Sequence, residues 1–312
     1  MSILIDQNTR FLIQGITGKQ GTRSTIDMLV SNSKLVAGVT PGKGGQEVEG
    51  VPVYNSIKDA QEALGSSKKI DCSVVMVPPR FAKGAIVEAI EAGIKLINVI
   101  TENIPIHDMA YCLALARAKG SLVIGATSAG IYSVGKSKCG PIASGKSKIA
   151  LSVGGVGVIS RSGGMSCETA LVLTQAGLGQ STIVSVGSDV LMGSTFVEIV
   201  SLFENDDDTK GIVLFGEIGG TCEEDLAKWL ILQRKNGNAF LKPIVAFISG
   251  KFAEDLGMEN VSLGHAGAII ESGSGGREGK VKALKEAGVI IAEVHHNVGR
   301  LMKEALLNFG KE

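Results

Sequence analysis

Short apolar runs, many of them closed by glycine or proline, recur along the chain and alternate with longer stretches in which apolar residues return every three or four positions. In the first part the runs at Arg10–Gln14, Leu35–Val39, Cys72–Val77, Leu96–Ile100 and Leu122–Ile124 predict strands. The stretches between them, at Gly21–Val30, Ile57–Leu64, Phe81–Ala92 and Ile106–Lys119, predict helices. This βαβα alternation is the pattern of a doubly wound parallel sheet. A Gly/Ser/Lys-rich stretch, Gly125–Gly155, interrupts it. Beyond that stretch strands are expected at Val156–Ile159, Ser181–Val186, Gly211–Phe215, Pro243–Ile248 and Gly288–Ile291. Helices are expected at Ser166–Ala176, Thr195–Phe203, Glu223–Arg234 and Glu278–Ala287, with a last amphipathic helix at Asn297–Leu307. Two α/β domains follow, 1–125 and 126–312, with 126–155 as their connection and an irregular loop.

Composition fits that picture. A chain of 312 residues has room for two medium domains. Glycine is common, at 42 residues, and aromatics make up only 4%, which suits Val/Ile/Leu/Ala strands buried on both faces and joined by tight turns. Lys+Arg and Asp+Glu balance at 31 each, leaving no electrostatic footprint for nucleic acid or an anionic membrane, so neither is an expected partner. The five cysteines, Cys72, Cys112, Cys139, Cys167 and Cys222, are odd in number and lack CxxC spacing, which points to a reducing, cytoplasm-like compartment and to no metal site. The opening MSILIDQNTR lacks a basic segment followed by an apolar one, and no apolar run approaches the length of about 18 residues that spans a bilayer. A cytoplasmic protein is expected.

Several segments carry candidate chemistry. The first predicted strand runs into Gly15-Ile16-Thr17-Gly18-Lys19-Gln20-Gly21 and then a helix, where free amides can face a phosphate and glycines let it approach. The spacing is GxxGxxG, and the second strand ends in Thr40-Pro41-Gly42-Lys43-Gly44-Gly45, with a lysine where a nicotinamide enzyme would place a ribose-binding acid. Both features argue against a dehydrogenase; a turn that serves structure alone is the other alternative. Gly140–Ser147 satisfies GxxxxGKS, but no strand of the required kind precedes it and glycines break the segment after it, so a nucleotide P-loop is not expected. Ser160-Arg161-Ser162-Gly163-Gly164-Met165-Ser166 joins a strand to a helix start and makes a second anion cradle. Glu217 closes a buried strand in Gly216-Glu217-Ile218-Gly219-Gly220-Thr221, placed to orient an imidazole or simply solvated in a turn. One of only four histidines, His265, stands in Gly264-His265-Ala266-Gly267-Ala268, where small neighbours leave the ring open to a reacting group. An ordinary loop histidine is the alternative for that residue.

Taken in order, MSILIDxNT, Gln14–Gly18, Gly38–Gly45, Ile100-Thr101-Glu102, Ser160–Gly163, Gly216–Gly220 and Gly264–Ala268 resemble the α subunit of succinyl-CoA synthetase and the wider family of nucleotide-forming acid–CoA ligases, across nearly the whole chain. The resemblance implies an N-terminal Rossmann-like CoA-binding domain and a C-terminal flavodoxin-like ligase domain. It implies that CoA is bound through Thr17, Gly18, Lys19, Gln20, Lys43, Ile100, Thr101 and Glu102. It further implies that His265 is phosphorylated in turnover while Glu217 holds the ring, and that Ser160, Ser162, Gly163, Gly164, Ser166 and Cys167 border phosphate and acid. In such ligases ATP or GTP with Mg2+ sits in an ATP-grasp β subunit, which implies a partner chain in an αβ or α2β2 heteromer.

The chain departs from the family pattern near the acid site. It reads Gly125-Ala126-Thr127-Ser128-Ala129-Gly130 where α subunits usually read GPNxxG, and Ser160–Glu168 reads SRSGGMSCE in place of SRSGTLTYE, with Cys167 at the position of a tyrosine. The Lys/Ser-rich Lys136–Lys148 also differs from the usual linker. Ser160–Ser166, SRSGGMS, and Gly216–Thr221, GEIGGT, are similar to ATP citrate lyase, so citrate stands beside succinate as the expected acid, with malate a further small carboxylate to compare. A CoA-binding regulatory protein without turnover is the alternative of another class.

Overall fold

Alternating buried strands and amphipathic helices build both halves of the chain, whose computed structural model describes residues 2–65, 69–145, 151–257, 264–268 and 275–308. Two compact units divide it: Leu4–Lys146 with Ser185–Ser194, and Met1–Ile3 with Ser147–Val184 and Thr195–Glu312.

The first unit contains β1 (Arg10–Gln14), α1 (Lys19–Val30), β2 (Lys34–Val39), β3 (Glu47–Val48), β4 (Val51–Tyr54), α2 (Ile57–Leu64), β5 (Cys72–Val75), α3 (Pro79–Glu91), β6 (Leu96–Val99), α4 (Ile106–Lys119), β7 (Leu122–Ile124), β8 (Gly130–Ser133) and β9 (Ser137–Cys139). Its main sheet has the order β3-β4-β2-β1-β5-β6-β7. β1 pairs in parallel with both β2 and β5, so the sequence runs outward from β1 in one direction and then in the other. That reversal marks the carboxyl ends of β1 and its neighbours as the place where doubly wound sheets take ligands. Leu12, Val39, Val75 and Ile97 from the strands pack with Ile57, Ile86 and Met109 from α2, α3 and α4 in one apolar cluster. Burial on both faces is why these strands read as continuous apolar runs. Gly21 is fixed by close approach: a Cβ there would lie 2.2 Å from the Gly15 carbonyl oxygen, which holds the first turn of α1 against the loop.

The second unit contains β10 (Val153–Ser160), α5 (Gly163–Gln175), β11 (Gln180–Ser185), α6 (Phe196–Glu204), β12 (Gly211–Gly216), α7 (Cys222–Lys235), β13 (Ile244–Ile248), α8 (Lys251–Asp255), α9 (Arg277–Glu286), β14 (Ile290–Ile291), a 3-10 turn at His295–Asn297 and α10 (Val298–Asn308). Its strands have the order β14-β13-β12-β10-β11, which is 5-4-3-1-2 in chain order. β12 pairs in parallel with β10 and β13, with Ser160 opposite Phe215 and Gly216 opposite Ile248. The loops after β10, β12 and β13 therefore leave the same end of the sheet.

The sequence expectations for the long buried strands and for most helices agree with these elements to within a few residues. Gly125–Gly155 does not form the expected irregular loop throughout. β8 and β9 pair there as an antiparallel hairpin, with Ile131 opposite Cys139, and β10 begins at Val153. Residues 126–145 and Ser185–Ser194 fall in the first unit, so its edge differs from the expected 125/126 boundary. Buried hydrogen bonds tie them there: Ser128 Oγ donates to Ser185 O at 2.6 Å, and Ser33 Oγ donates to Lys138 O at 2.8 Å. Of the GxxxxGKS match, Lys146 and Ser147 lie outside the described residues. The strand before it is the three-residue β9, with no central parallel strand in that place.

One histidine of the second unit, His295, is half-buried against two aromatic side chains. The His295 ring lies 5.7 Å from Phe215 and 5.5 Å from Phe247, edge to face, and its Nε2 is 2.9 Å from Thr169 Oγ1. Burial pushes its pKa below 6.5, with Glu168 opposing the shift and His296 adding to it. The folded state thus binds this proton less well than the unfolded chain does. The stabilisation is complete above the unfolded value and is lost as pH falls through the lower folded one. Urea midpoints are expected to drop as pH is lowered from 7 to 5, and less steeply in His295→Gln; equal slopes for the two proteins would rule the residue out.

Candidate active site

β12 is buried along its whole length and ends at Gly216; the chain then turns sharply through Glu217–Thr221 into α7. The turn needs two glycines in the left-handed region, Gly219 at φ 87° and Gly220 at φ 60°. Four contacts fix it. The Glu217 N–H donates to Glu223 Oε1 at 3.1 Å, and the Gly219 N–H donates to Gly275 O at 2.8 Å. Arg161 Nη1 donates to Gly219 O at 3.1 Å, and Lys280 Nζ donates to Gly220 O at 3.0 Å.

Glu217, only 4% exposed, faces two cationic or potentially cationic groups. Its Oε2 lies 2.6 Å from His265 Nδ1, a hydrogen-bond contact that orients the ring and places an acceptor for a proton on Nδ1. Its Oε1 lies 3.2 Å from Arg161 Nε. Both of these atoms are buried and their alignment falls outside hydrogen-bond geometry, so the pair is a charge contact. A carboxylate this deep needs a neighbouring cation, and Arg161 supplies it. The His265 side chain is 33% exposed, in a turn closed by the Ala268 N–H donating to His265 O at 3.1 Å. The ring is thus held at Nδ1 while a third of the side chain stays exposed.

The Ser160–Cys167 segment leaves β10 beside this turn, with the Arg161 N–H donating to Phe215 O at 3.3 Å. Ser160 Oγ donates to Ser162 O at 2.7 Å and accepts the Ser162 N–H at 3.1 Å. Ser162 caps α5 by accepting the Met165 N–H at 3.4 Å, so the helix starts at Gly163, three residues before the expected Ser166. Ser166 is buried, with Oγ donating to Gly163 O at 2.6 Å; it supports the first turn from below. Gly164 is exposed, and a Cβ there would meet no atom within 4 Å. Cys167 is a half-buried free thiol one turn into the helix.

The residues expected to bind CoA all lie in the first unit, around the carboxyl ends of its strands. Thr17 Oγ1 donates to Thr40 Oγ1 at 3.2 Å, joining the loops after β1 and β2. Gly18 is the N-cap of α1 and no side chain caps that helix, so the amides of its first turn, at Lys19 and Gln20, face outward. Lys43 is exposed on the loop after β2. Beyond β6, the Ile100 N–H donates to Val75 O at 3.0 Å and Thr101 Oγ1 donates to Val77 O at 2.8 Å, while Glu102 is exposed. An uncapped helix start beside two glycine loops and an exposed lysine suits the phosphates of a nucleotide-bearing cofactor.

The structure brings together His265 and Glu217, the two residues the sequence singled out as a pair, and adds contacts around them that the sequence did not single out. Arg161 entered only within the Ser160–Ser166 cradle, and Glu223 and Lys280 only as positions within expected helices. The available signal was weak: Glu223 opens an acidic first turn, Glu223-Glu224-Asp225, which any helix start favours.

Residues 6–103 match the CoA binding domain family and residues 159–304 match the CoA-ligase family. Fold and site together define an acid–CoA ligase chain of two domains, one binding CoA and one carrying ligase chemistry. The succinate–CoA ligase [ADP-forming] subunit alpha 1 of Archaeoglobus fulgidus is 41% identical over 306 residues, covering 98% of this chain and 99% of its own. An ADP-forming sulfoacetate–CoA ligase subunit from an Acholeplasma species is 38% identical over 304 residues, covering 97% of this chain and 98% of its own. The chain belongs to the succinate–CoA ligase α-subunit family, the nucleotide-forming acid–CoA ligases. Among solved structures, ATP citrate lyase from Methanothrix soehngenii superposes with a TM-score of 0.87 at 24% identity. That match covers 97% of this chain, which spans half of the lyase chain, and shows a shared fold. No helix among the described residues is long and apolar enough to cross a membrane.

Proposed function

We propose that this chain carries a phosphoryl group on His265 and uses it to activate a carboxylic acid, with succinate as the acid, for thioester formation with CoA. The observation behind this reading is the 2.6 Å contact between Glu217 Oε2 and the Nδ1 of a partly exposed imidazole. With Nδ1 turned to the carboxylate, Nε2 is the nitrogen that attacks the terminal phosphorus of a nucleoside triphosphate. The N–P bond forms as the bond to the leaving diphosphate breaks. The phosphorylated ring keeps its Nδ1 proton and is cationic, and Glu217 stabilises that charge. A substrate carboxylate oxygen then takes the phosphoryl group, giving an acyl phosphate and restoring the histidine. The CoA thiolate attacks the acyl carbon and expels inorganic phosphate.

In this reading, amides of the α5 first turn at Gly163 and Gly164, with Ser160, Ser162 and Ser166 beneath them, receive the phosphate, while Cys167 borders the acid. CoA lies on the first unit at Thr17, Gly18, Lys19, Gln20, Lys43, Ile100, Thr101 and Glu102. The strand orders 3-2-1-4-5-6, set by β4 to β7, and 2-1-3-4-5, set by β10 to β14, support the Rossmann-like and flavodoxin-like descriptions of the two domains. The nucleotide and Mg2+ belong to an ATP-grasp β subunit, in an αβ or α2β2 assembly. The free thiols fit a cytoplasmic setting.

Citrate is the second reading, favoured by the open space over Gly164 and the short side chain of Cys167. The test is to assemble the chain with its β subunit, supply Mg2+ and γ-labelled nucleotide, and map the label. An acid-labile phosphoryl group on His265 is expected, discharged by succinate plus CoA. Thioester assays with succinate, sulfoacetate, citrate and malate then fix the acid. CoA binding without any labelling of His265 would replace this reading with that of a CoA-binding regulatory protein.

A further inference from the structure

Lys280 is wholly buried, and its ammonium meets three oxygens of the second unit: Glu223 Oε2 at 2.5 Å, Glu224 Oε2 at 3.1 Å and Gly220 O at 3.0 Å. Those three acceptors use all three of its N–H donors. Glu223 is equally buried, and its second oxygen takes the Glu217 N–H at 3.1 Å. A continuous line of contacts therefore runs from α9 through Lys280 and Glu223 to the main chain of Glu217, whose side chain holds His265 Nδ1. A second branch reaches Gly220 in the same turn. Next to it, Arg161 takes Gly219 O, so adjacent peptide carbonyls are both drawn inward by buried cations. Taking a lysine–glutamate pair out of water adds little net stability over an apolar pair of similar size, whereas such pairs are strict about where their partners sit. Gly216 shows the same closeness of fit, since a Cβ there would come within 2.5 Å of Glu223 Oε1.

From this geometry we infer that Lys280, acting through Glu223, is a positioning residue for phosphoryl transfer: it fixes the turn that presents Glu217 to His265. The inference rests on the phosphohistidine reading above. Lys280 touches neither the imidazole nor any reacting atom. Its effect is to keep the Glu217 carboxylate in register with Nδ1 while the ring gains and loses charge.

The test uses the full chain assembled with its β subunit. Lys280→Met alone strands a buried glutamate and invites misfolding, so the informative protein is the double variant Lys280→Met, Glu223→Gln. It is uncharged, similar in shape, and keeps an oxygen for the Glu217 N–H. Phosphorylation of His265 is expected to slow by about 10- to 100-fold, the usual scale when the outer support of a functional ligand is removed. The KM for CoA is expected to stay at the wild-type value. In the 15N-labelled full chain, the His265 Nδ1 resonance is expected to move, because its proton is no longer shared with a fixed carboxylate. A merely structural pair would leave that resonance in place, and an unchanged Nδ1 signal in the folded double variant overturns the inference whatever the rate. Wild-type complex that takes no label on His265 overturns instead the reading on which it rests.

Discussion

Exchanging Glu217 for glutamine is expected to slow phosphorylation of His265 by about 100- to 10,000-fold, the range seen when the group that orients a catalytic imidazole loses its charge. The exchange conserves shape, so the loss has an electronic origin. An amide presents either a carbonyl or an NH2 group to Nδ1. In the second case the ring is driven to the tautomer with its proton on Nε2, the nitrogen that must attack. Even with the carbonyl toward the ring, the cationic phosphoimidazole faces a neutral dipole in a site that is only 4% exposed at this residue, beside a buried arginine. Rapid-quench labelling with γ-labelled nucleotide measures the rate. His265→Ala gives the floor, with no protein-bound phosphate. CoA affinity, set in the other unit, is expected to be equal in wild type, Glu217→Gln and His265→Ala. A Glu217→Gln protein labelled at the wild-type rate would leave the carboxylate without its assigned role.

Arg161→Met is expected to destabilise the second unit by about 3–5 kcal/mol, the cost of removing one partner of a buried ion pair. The side chains of Arg161 and Glu217 are 3% and 6% exposed, so water cannot replace the lost cation, and Gly219 O loses its donor as well. The charge contact and the carbonyl contact can be separated with a double-mutant cycle. Arg161→Met with Glu217→Gln removes both charges and is expected to recover part of the loss seen in the single arginine variant. Chemical denaturation followed by circular dichroism reads each corner of the cycle. If the two single changes add with no coupling, Arg161 stabilises the fold only through Gly219.

The elements that could be read from the chain were those whose burial is uniform. β1, β5, β6 and β12 are covered on both faces and appear as largely apolar runs. β8 and β9 are buried too, but through Ser133, Ser137 and Lys138, whose polar side chains give no strand signal. The two-residue β3 and the proline-containing β4 are too short for periodicity to register. In the site, His265 and Glu217 stood out through their setting: an imidazole among small residues, and a carboxylate at a strand's end. Lys280 had no such setting. In α9, Arg277–Glu286, it is one of several charges, and nothing in its sequence neighbours sets it apart from the others. Only tertiary pairing with Glu223, 57 positions away, marks it as a core residue.

Gly164 shows how this architecture can change. Nothing within 4 Å opposes a side chain at that position, on the first turn of a helix already secured by Ser162 and Ser166, whereas the turn bearing Glu217 is pinned by four hydrogen bonds. Substitutions around Gly164 and Cys167 can therefore accumulate with little loss of folding, while any change at Arg161, Glu223 or Lys280 requires a compensating one. On the reading proposed above, the size and charge of the acid can change at Gly164 and Cys167 without disturbing the turn that holds Glu217 against His265.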